Sequence, residues 1–201
     1  QHRRVRPSFN IMLSDYNRPF YSDYVLPAGN LRESRHGARR ADVVVITKCA
    51  HDISADEMID IQSKISRYTK SPVLFSKIRY GEPAAFGKKG ITLITYDPVV
   101  LVSGIANTKS LLSYVQNNFR MLRHIKFADH HHYTINDLNM LTALTKEYLG
   151  ISILMTEKDM VKIADEAFTS VTSQLPLFYL PIETEFIKSA VEFDEMVLTA
   201  V

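Results

Sequence analysis

Short β-rich apolar runs recur along this chain with helical patterns between them, and that alternation restricts the fold more than any other feature. Parallel strands must be joined by crossovers, so strand and helix in strict succession imply α/β architecture built on parallel sheets. Residues 10–14, 41–47, 73–78, 91–96, 99–102, 124–127, 152–155 and 177–180 are the strand candidates. Several are unbroken hydrophobic stretches, as strands covered on both faces should be.

Helix signals fill the gaps. Ser54, with Glu57 three residues on, forms a capping box, and Met58, Ile61, Ile65 and Tyr68 follow at helical spacing, predicting a helix over 54–69. Thr134 and Asp137 repeat the signal ahead of Leu138, Leu141, Leu144, Thr145 and Tyr148, and Gly150 stands where a left-handed cap would end a helix over 135–149. Phe193, Met196, Val197, Ala200 and Val201 share a stripe, which predicts a terminal helix. The stretch 79–90 differs, with three glycines, Pro83 and the pair Lys88-Lys89, and reads as a connector or hairpin between two lobes. The expected division is a first lobe over 1–76, a linker over 77–97, a second lobe over 98–177, and a segment over 178–201 that returns to the first.

With 46% hydrophobic and 23% charged residues, the chain has the means to build one or two cores. The net charge is only +2, yet Arg3, Arg4 and Arg6 crowd the start, and Arg32, Arg35, Arg39 and Arg40 lie within nine residues. Such clusters suit anionic or phosphorylated partners, and they equally suit a solvated face. The single cysteine, Cys49, excludes an intramolecular disulfide framework and reads as packing. No run approaches the roughly 18 apolar residues that span a bilayer. Nucleic-acid binding through the basic start lacks a recognition helix or aromatic platform.

The segment Phe127-Ala128-Asp129-His130-His131-His132-Tyr133 carries the strongest chemical signal. It follows a predicted strand and precedes a capped helix, where open α/β sheets place functional loops. A neutral imidazole there could take a proton at physiological pH. Metal binding is the rival reading, although three consecutive histidines diverge and a tetrahedral site needs further ligands. His131 and His132 read as solvated turn residues. Leu26-Pro27-Ala28-Gly29-Asn30-Leu31-Arg32-Glu33 joins a proline turn to an adjacent cation and carboxylate, so that Arg32 could clamp a phosphate with Glu33 orienting it. Thr156 and Asp159 follow a buried strand directly and either contact a ligand or cap the next helix. Gly104 permits a close turn after residues 99–102, and Asn107 could start a helix. No Gly-x-x-x-x-Gly-Lys-Ser/Thr loop, Gly-x-Ser-x-Gly elbow or Cys-x-x-Cys pair occurs.

Taken in order, Gln1-His2-Arg3-Arg4, residues 26–33, Arg40-Ala41-Asp42, Ser103-Gly104-Ile105, Asp129-His130, Thr156-Glu157-Lys158-Asp159 and Tyr179-Leu180-Pro181 resemble the tetraacyldisaccharide 4'-kinases, the lipid A 4'-kinases of Gram-negative bacteria. The resemblance covers nearly the whole chain. It implies an α/β fold of two α/β/α sandwich lobes, the first P-loop NTPase-like and incomplete here, joined by a two-stranded β linker. It further implies transfer of the γ-phosphate of ATP, with Mg2+, to the 4'-hydroxyl of an acylated glucosamine disaccharide 1-phosphate. Lipid IV-A is the product, formed by a peripheral protein at the cytoplasmic face of the inner membrane.

In the family, Gln-His follows an Asp-Asp-Gly-x run that serves magnesium, and the phosphate-binding loop lies farther upstream. This sequence therefore resembles the later two-thirds of such an enzyme, and those 201 residues are expected to be inactive alone. By position, His130 matches the histidine that activates the hydroxyl with an upstream aspartate. Asp129 beside it is a further catalytic candidate that could orient the imidazole, and Arg32 matches the active-site arginine. Gln1 and His2 fall in the nucleotide and metal region, while Glu33, Thr156 and Asp159 supply substrate contact or structural support. The competing expectation is a non-catalytic module that binds an anionic glycan or a metal.

Overall fold

The computed structural model describes residues 7–188 and 190–200. The chain forms two compact units, one running through Arg79 and resuming at Thr184, the other comprising Tyr80–Glu183.

The first unit holds β1 (Ile11–Asp15), β2 (Val43–Thr47), α1 (Ala55–Ile65) and β3 (Val73–Tyr80), in a sheet whose order is β1, β2, β3 and then a later strand. β1, β2 and β3 are mutually parallel. Val44, Ile46 and Phe75 bury one face against Ile61 and Ile65 of α1 and against Phe20, Ala38 and Cys49. Val43, Val45 and Leu74 point the other way. A run such as Val43-Val44-Val45-Ile46 is apolar throughout because neither side of β2 meets water.

Helix α1 stops at Ile65, short of the periodicity that reaches Tyr68, because residues 66–68 turn away while Tyr68 still packs on the core. Ser54 caps α1 by accepting the Glu57 amide at 3.1 Å. The reciprocal half of the expected capping box is replaced, since the Glu57 carboxylate accepts the Tyr16 hydroxyl.

The second unit begins with β4 (Ala84–Ala85), β5 (Pro98–Ser103), α2 (Lys109–Asn118), β6 (Arg120–Lys126) and α3 (Ile135–Glu147). β7 (Ser152–Thr156), α4 (Glu157–Ile163), α5 (Thr169–Thr172) and β8 (Leu177–Leu180) follow. Its sheet runs β4-β8-β7-β5-β6, with only β4 antiparallel to its neighbour. Val100, Val102, Ile153, Met155 and Leu177 pack against Leu138, Leu141 and Leu144 of α3 and Ile163 of α4. Val99, Leu101, Leu154 and Phe178 pack on the opposite face with Leu111 and Val115 of α2. Each fully buried aliphatic side chain contributes about 1.5–3 kcal/mol.

The crossover from β5 through α2 leads to β6 on one flank, and those through α3 and α4 lead to β7 and β8 on the other. The strand order therefore reverses between β5 and β7.

The chain passes from the first unit to the second within β3 and returns within β9 (Ile182–Phe186), which is β3's neighbour in the sheet. The terminal helix expected from its stripe is α6 (Ala190–Ala200), whose Phe193 and Met196 pack beside Val43, Val45 and Leu74.

The sequence-based strand over 91–96 is not formed. Leu93 is buried and Ile91 packs against the same core, but Ile94 and Tyr96 are exposed. The Ile94 amide donates to Asp97 Oδ2, the Asp97 amide returns to the Ile94 carbonyl, and Tyr96 adopts φ +69°. Apolar anchors in a turn imitated the alternation of a strand. Conversely, β6 begins four residues earlier than expected, at Arg120, because it pairs along the whole length of β5. It is an edge strand with mixed exposure and so lacks a clear hydrophobic run.

Candidate functional site

In the second unit, the residues that sequence reasoning selected gather at the carboxyl-terminal ends of β5, β6 and β7. Open parallel sheets leave their loops free at that edge, and at a reversal of strand order the loops of adjacent strands diverge to opposite faces and open a crevice. Here the crevice between β5 and β7 is bridged. The Gly104 amide, just beyond β5, donates to Asp159 Oδ2 at 2.9 Å across the sheet edge.

Asp159 is completely buried. The Thr156 hydroxyl donates to its Oδ2 at 2.6 Å, and Thr156 Oγ1 accepts the Asp159 amide at 3.1 Å. Thr156 is thus the N-cap of α4, one of the two roles considered for it. Asn107 similarly accepts the Lys109 amide at the start of α2. Gly104 has a structural reason to lack a side chain, since a Cβ there would stand 2.9 Å from Asp159 Oδ1 and 3.4 Å from the Ala128 carbonyl oxygen.

The Asp129-His130 loop leaves β6 beside this bridge. His130 adopts φ +60°, a left-handed conformation that few non-glycine residues take, and its ring is 76% exposed. Asp129 Oδ1 accepts the His130 amide at 3.0 Å and the Lys158 ammonium at 3.2 Å. The hydrogen bond from Lys158 leads the influences that hold the Asp129 carboxyl below its ordinary range. The His130 imidazole lies 3.7 Å from Asp129 Oδ2, beyond hydrogen-bond range.

His131 is not the solvated residue its sequence setting suggested. Its ring stacks on Phe127 at 4.2 Å, meets Tyr133 edge-on, and bonds Asp137 Oδ2 at 3.1 Å. The capping box of α3 turns the Asp137 carboxylate toward the loop, and the stacking ring follows it. Burial opposes ionisation of Asp137, but hydrogen bonds from the Thr134 amide, the Thr134 hydroxyl and His131 outweigh it and lower the pKa. His132 is exposed.

Lys158, named in the sequence only as part of a motif, was given no role there, and Lys162 was not selected at all. Their four-residue spacing on α4 was the available signal, because it puts both ammonium groups on one helix face. Lys162 donates to the His131 carbonyl at 3.0 Å. His124 was also missed; its Nε2 pairs with the Ser103 hydroxyl at 2.8 Å, and burial lowers its pKa.

In the first unit, Arg32 and Glu33 are exposed in a loop that contains a cis Leu26–Pro27 bond. The Glu33 carboxylate receives Arg40 at 2.6 and 2.7 Å, an ion pair that sequence adjacency to Arg32 had not suggested. Asp23 organises the same loop by accepting the Tyr24 and Asn30 amides. Gln1 and His2 lie outside the described residues. Among the described residues, no group of three or more His, Cys, Asp or Glu is placed to hold a metal ion. No described helix is long and apolar enough to cross a membrane.

Parallel sheets covered by helices, with polar loops collected at the carboxyl-terminal strand edge and a bridged point of strand reversal, define an α/β protein of the doubly wound kind. The family model for tetraacyldisaccharide-1-P 4'-kinase matches residues 1–201, and the chain belongs to that family. It is 34% identical over 201 residues to the tetraacyldisaccharide 4'-kinase of Flavobacterium johnsoniae, covering 98% of this chain and 56% of that protein. With its counterpart in Cytophaga hutchinsonii it shares 37% identity over 187 residues, covering 91% and 51% respectively. The chain thus spans about half the length of these curated relatives. A solved chain of LpxK from Aquifex aeolicus, crystallised in complex with ATP, has the same fold, with a TM-score of 0.63 at 19% identity; the match covers 100% of this chain and 55% of that one.

Proposed function

We propose that this chain supplies the histidine-bearing part of an ATP-dependent kinase that phosphorylates the 4'-hydroxyl of tetraacyldisaccharide 1-phosphate to give lipid IV-A, at the cytoplasmic face of the inner membrane. Family membership supports the reaction class. The observation that carries the assignment within the chain is the Asp129-His130 loop, an exposed imidazole on left-handed backbone at the carboxyl-terminal edge of a parallel sheet.

In this reading His130 accepts the proton of the sugar hydroxyl as its oxygen attacks the γ-phosphorus of ATP and the bond to the β-phosphate oxygen breaks, releasing ADP. Asp129 fixes the loop through the His130 amide and Lys158. Arg32 neutralises phosphoryl charge, and Glu33 supports its loop. Among the described residues no group of three or more His, Cys, Asp or Glu is placed to hold a metal ion, and no phosphate-binding loop occurs in the sequence, so no step through magnesium is assigned to these residues. Gln1 and His2 belong to the nucleotide and metal region in this proposal, and the 201 residues alone have no turnover.

The test is His130→Ala in a polypeptide that joins this chain to the phosphate-binding region of a relative. ATP-dependent phosphorylation of the disaccharide should fall by about a hundredfold or more, with the unfolding temperature unchanged. Undiminished turnover would remove His130 from the mechanism. Tight binding of the disaccharide phosphate or zinc by the 201 residues alone would instead favour a non-catalytic binding module.

A further inference from the structure

Asp159 does more than capping requires. Thr156 already accepts the Asp159 amide, one of the free amides in the first turn of α4, and one oxygen of Asp159 suffices for both Gly104 and Thr156. The other oxygen, Oδ1, is buried without a hydrogen-bond partner among the described residues, as is the hydroxyl of Tyr133. A fully buried carboxylate with a spare oxygen is costly, and a neutral side chain could serve the cap without that cost. Asp159 stands near enough to the Tyr133 hydroxyl to add to the rise that burial causes in its pKa, and the Lys162 ammonium lies 3.6 Å from Oδ1. The same ammonium donates to the His131 carbonyl at 3.0 Å and lies 5.9 Å from the centre of the Tyr133 ring. From the β5 side, the hydrogen-bonded Gly104 lies against the Ala128 carbonyl and the His131 Cβ, leaving no room there for a side chain. The 128–131 loop is therefore held from two directions, and both holds converge on one carboxylate.

We propose that Asp159 is a positioning residue: it keeps Lys162 on the His131 carbonyl and Gly104 against Ala128, and so fixes the backbone path that gives His130 its left-handed conformation. The proposal rests on the reading of His130 as the base and adds the device that aims it. Thr156 and the core could hold α4 without Asp159; the loop geometry could not be held without it.

Two measurements separate this role from a purely structural one. In the 201-residue chain, the Cα and Cβ chemical shifts of His130 report its left-handed backbone, and amide exchange at residues 129–131 reports loop opening. Asp159→Asn should move those shifts and speed that exchange about tenfold or more at temperatures where the second unit remains folded. In the joined polypeptide, Asp159→Asn should lower kcat by about ten- to a hundredfold with little change in KM for ATP. Lys162→Met should reproduce the loss, Lys162→Arg should restore most of it, and the double variant should lose no more than the worse single one.

If Asp159→Asn does not fold, the Lys162 pair carries the test alone. Native His130 shifts and native kcat in Asp159→Asn, or in Lys162→Met, would overturn the proposal. Were His130→Ala fully active, the base assignment would fail, while the chemical shifts would still decide whether Asp159 sets the loop.

Discussion

Replacing Gly104 by alanine would put a methyl group where the structure has none to spare. The added Cβ would sit 2.9 Å from Asp159 Oδ1, 3.4 Å from the Ala128 carbonyl oxygen and 3.5 Å from the His131 Cβ. None of these neighbours is the loose end of a flexible side chain, because Asp159 is buried and bonded and the others belong to the backbone or lie next to it. Overpacking of this kind costs about 1–3 kcal/mol. If the carboxylate gives way, the charge-assisted bond from the Gly104 amide is lost as well, for about another 1.5–3 kcal/mol. Gly104 does not adopt positive φ, so alanine also restricts the unfolded chain and returns about 0.4–1 kcal/mol.

The destabilising terms win, leaving a net loss of about 2–5 kcal/mol confined to the second unit. Urea unfolding followed by unit-specific amide resonances would measure it, and thermal unfolding of the second unit should fall by roughly 10–20 °C. An alanine variant as stable as the parent, or more stable, would refute the close packing of Gly104 against Asp159 and with it the bridged strand reversal.

Asp137→Asn should destabilise the second unit at neutral pH by weakening the cap of α3 and the bond to His131. The Asp137 pKa is lowered in the folded state, so its stabilisation is present above the unfolded carboxylate pKa and is lost as pH falls through the folded value. The two proteins should therefore converge in stability below the usual carboxylate range, as acid unfolding curves would show. Burial raises the Cys49 thiol pKa to about 11, so a thiol reagent at neutral pH should modify the folded chain only through opening of the first unit, and a labelling rate insensitive to urea would contradict this.

Patterning made much of the architecture legible. The run of residues 43–46 reads as a strand because both of its faces are buried, and the Thr134 and Asp137 signal reads as a helix start because the cap is local. Where contacts are not local, the sequence misled. Leu93 anchors a turn and the alternation around it imitates a strand; β6 hides its first half because an edge strand needs no apolar face. Three consecutive histidines look alike in the sequence, yet their environments differ: His131 is stacked on Phe127 and bonded to Asp137, while His130 is turned outward on left-handed backbone.

By itself, then, the sequence determined the parallel α/β class, the helix caps and the position of the Asp129-His130 loop after a strand, because propensity, capping and hydrophobic period act over a few residues. Only the tertiary structure decided that the first unit resumes at Thr184, inside β9, that strand order reverses between β5 and β7, and that Asp159 reaches 55 residues back to the Gly104 amide. Strand order and buried hydrogen bonds depend on which surfaces meet when crossovers close over a sheet, and no local pattern specifies that meeting.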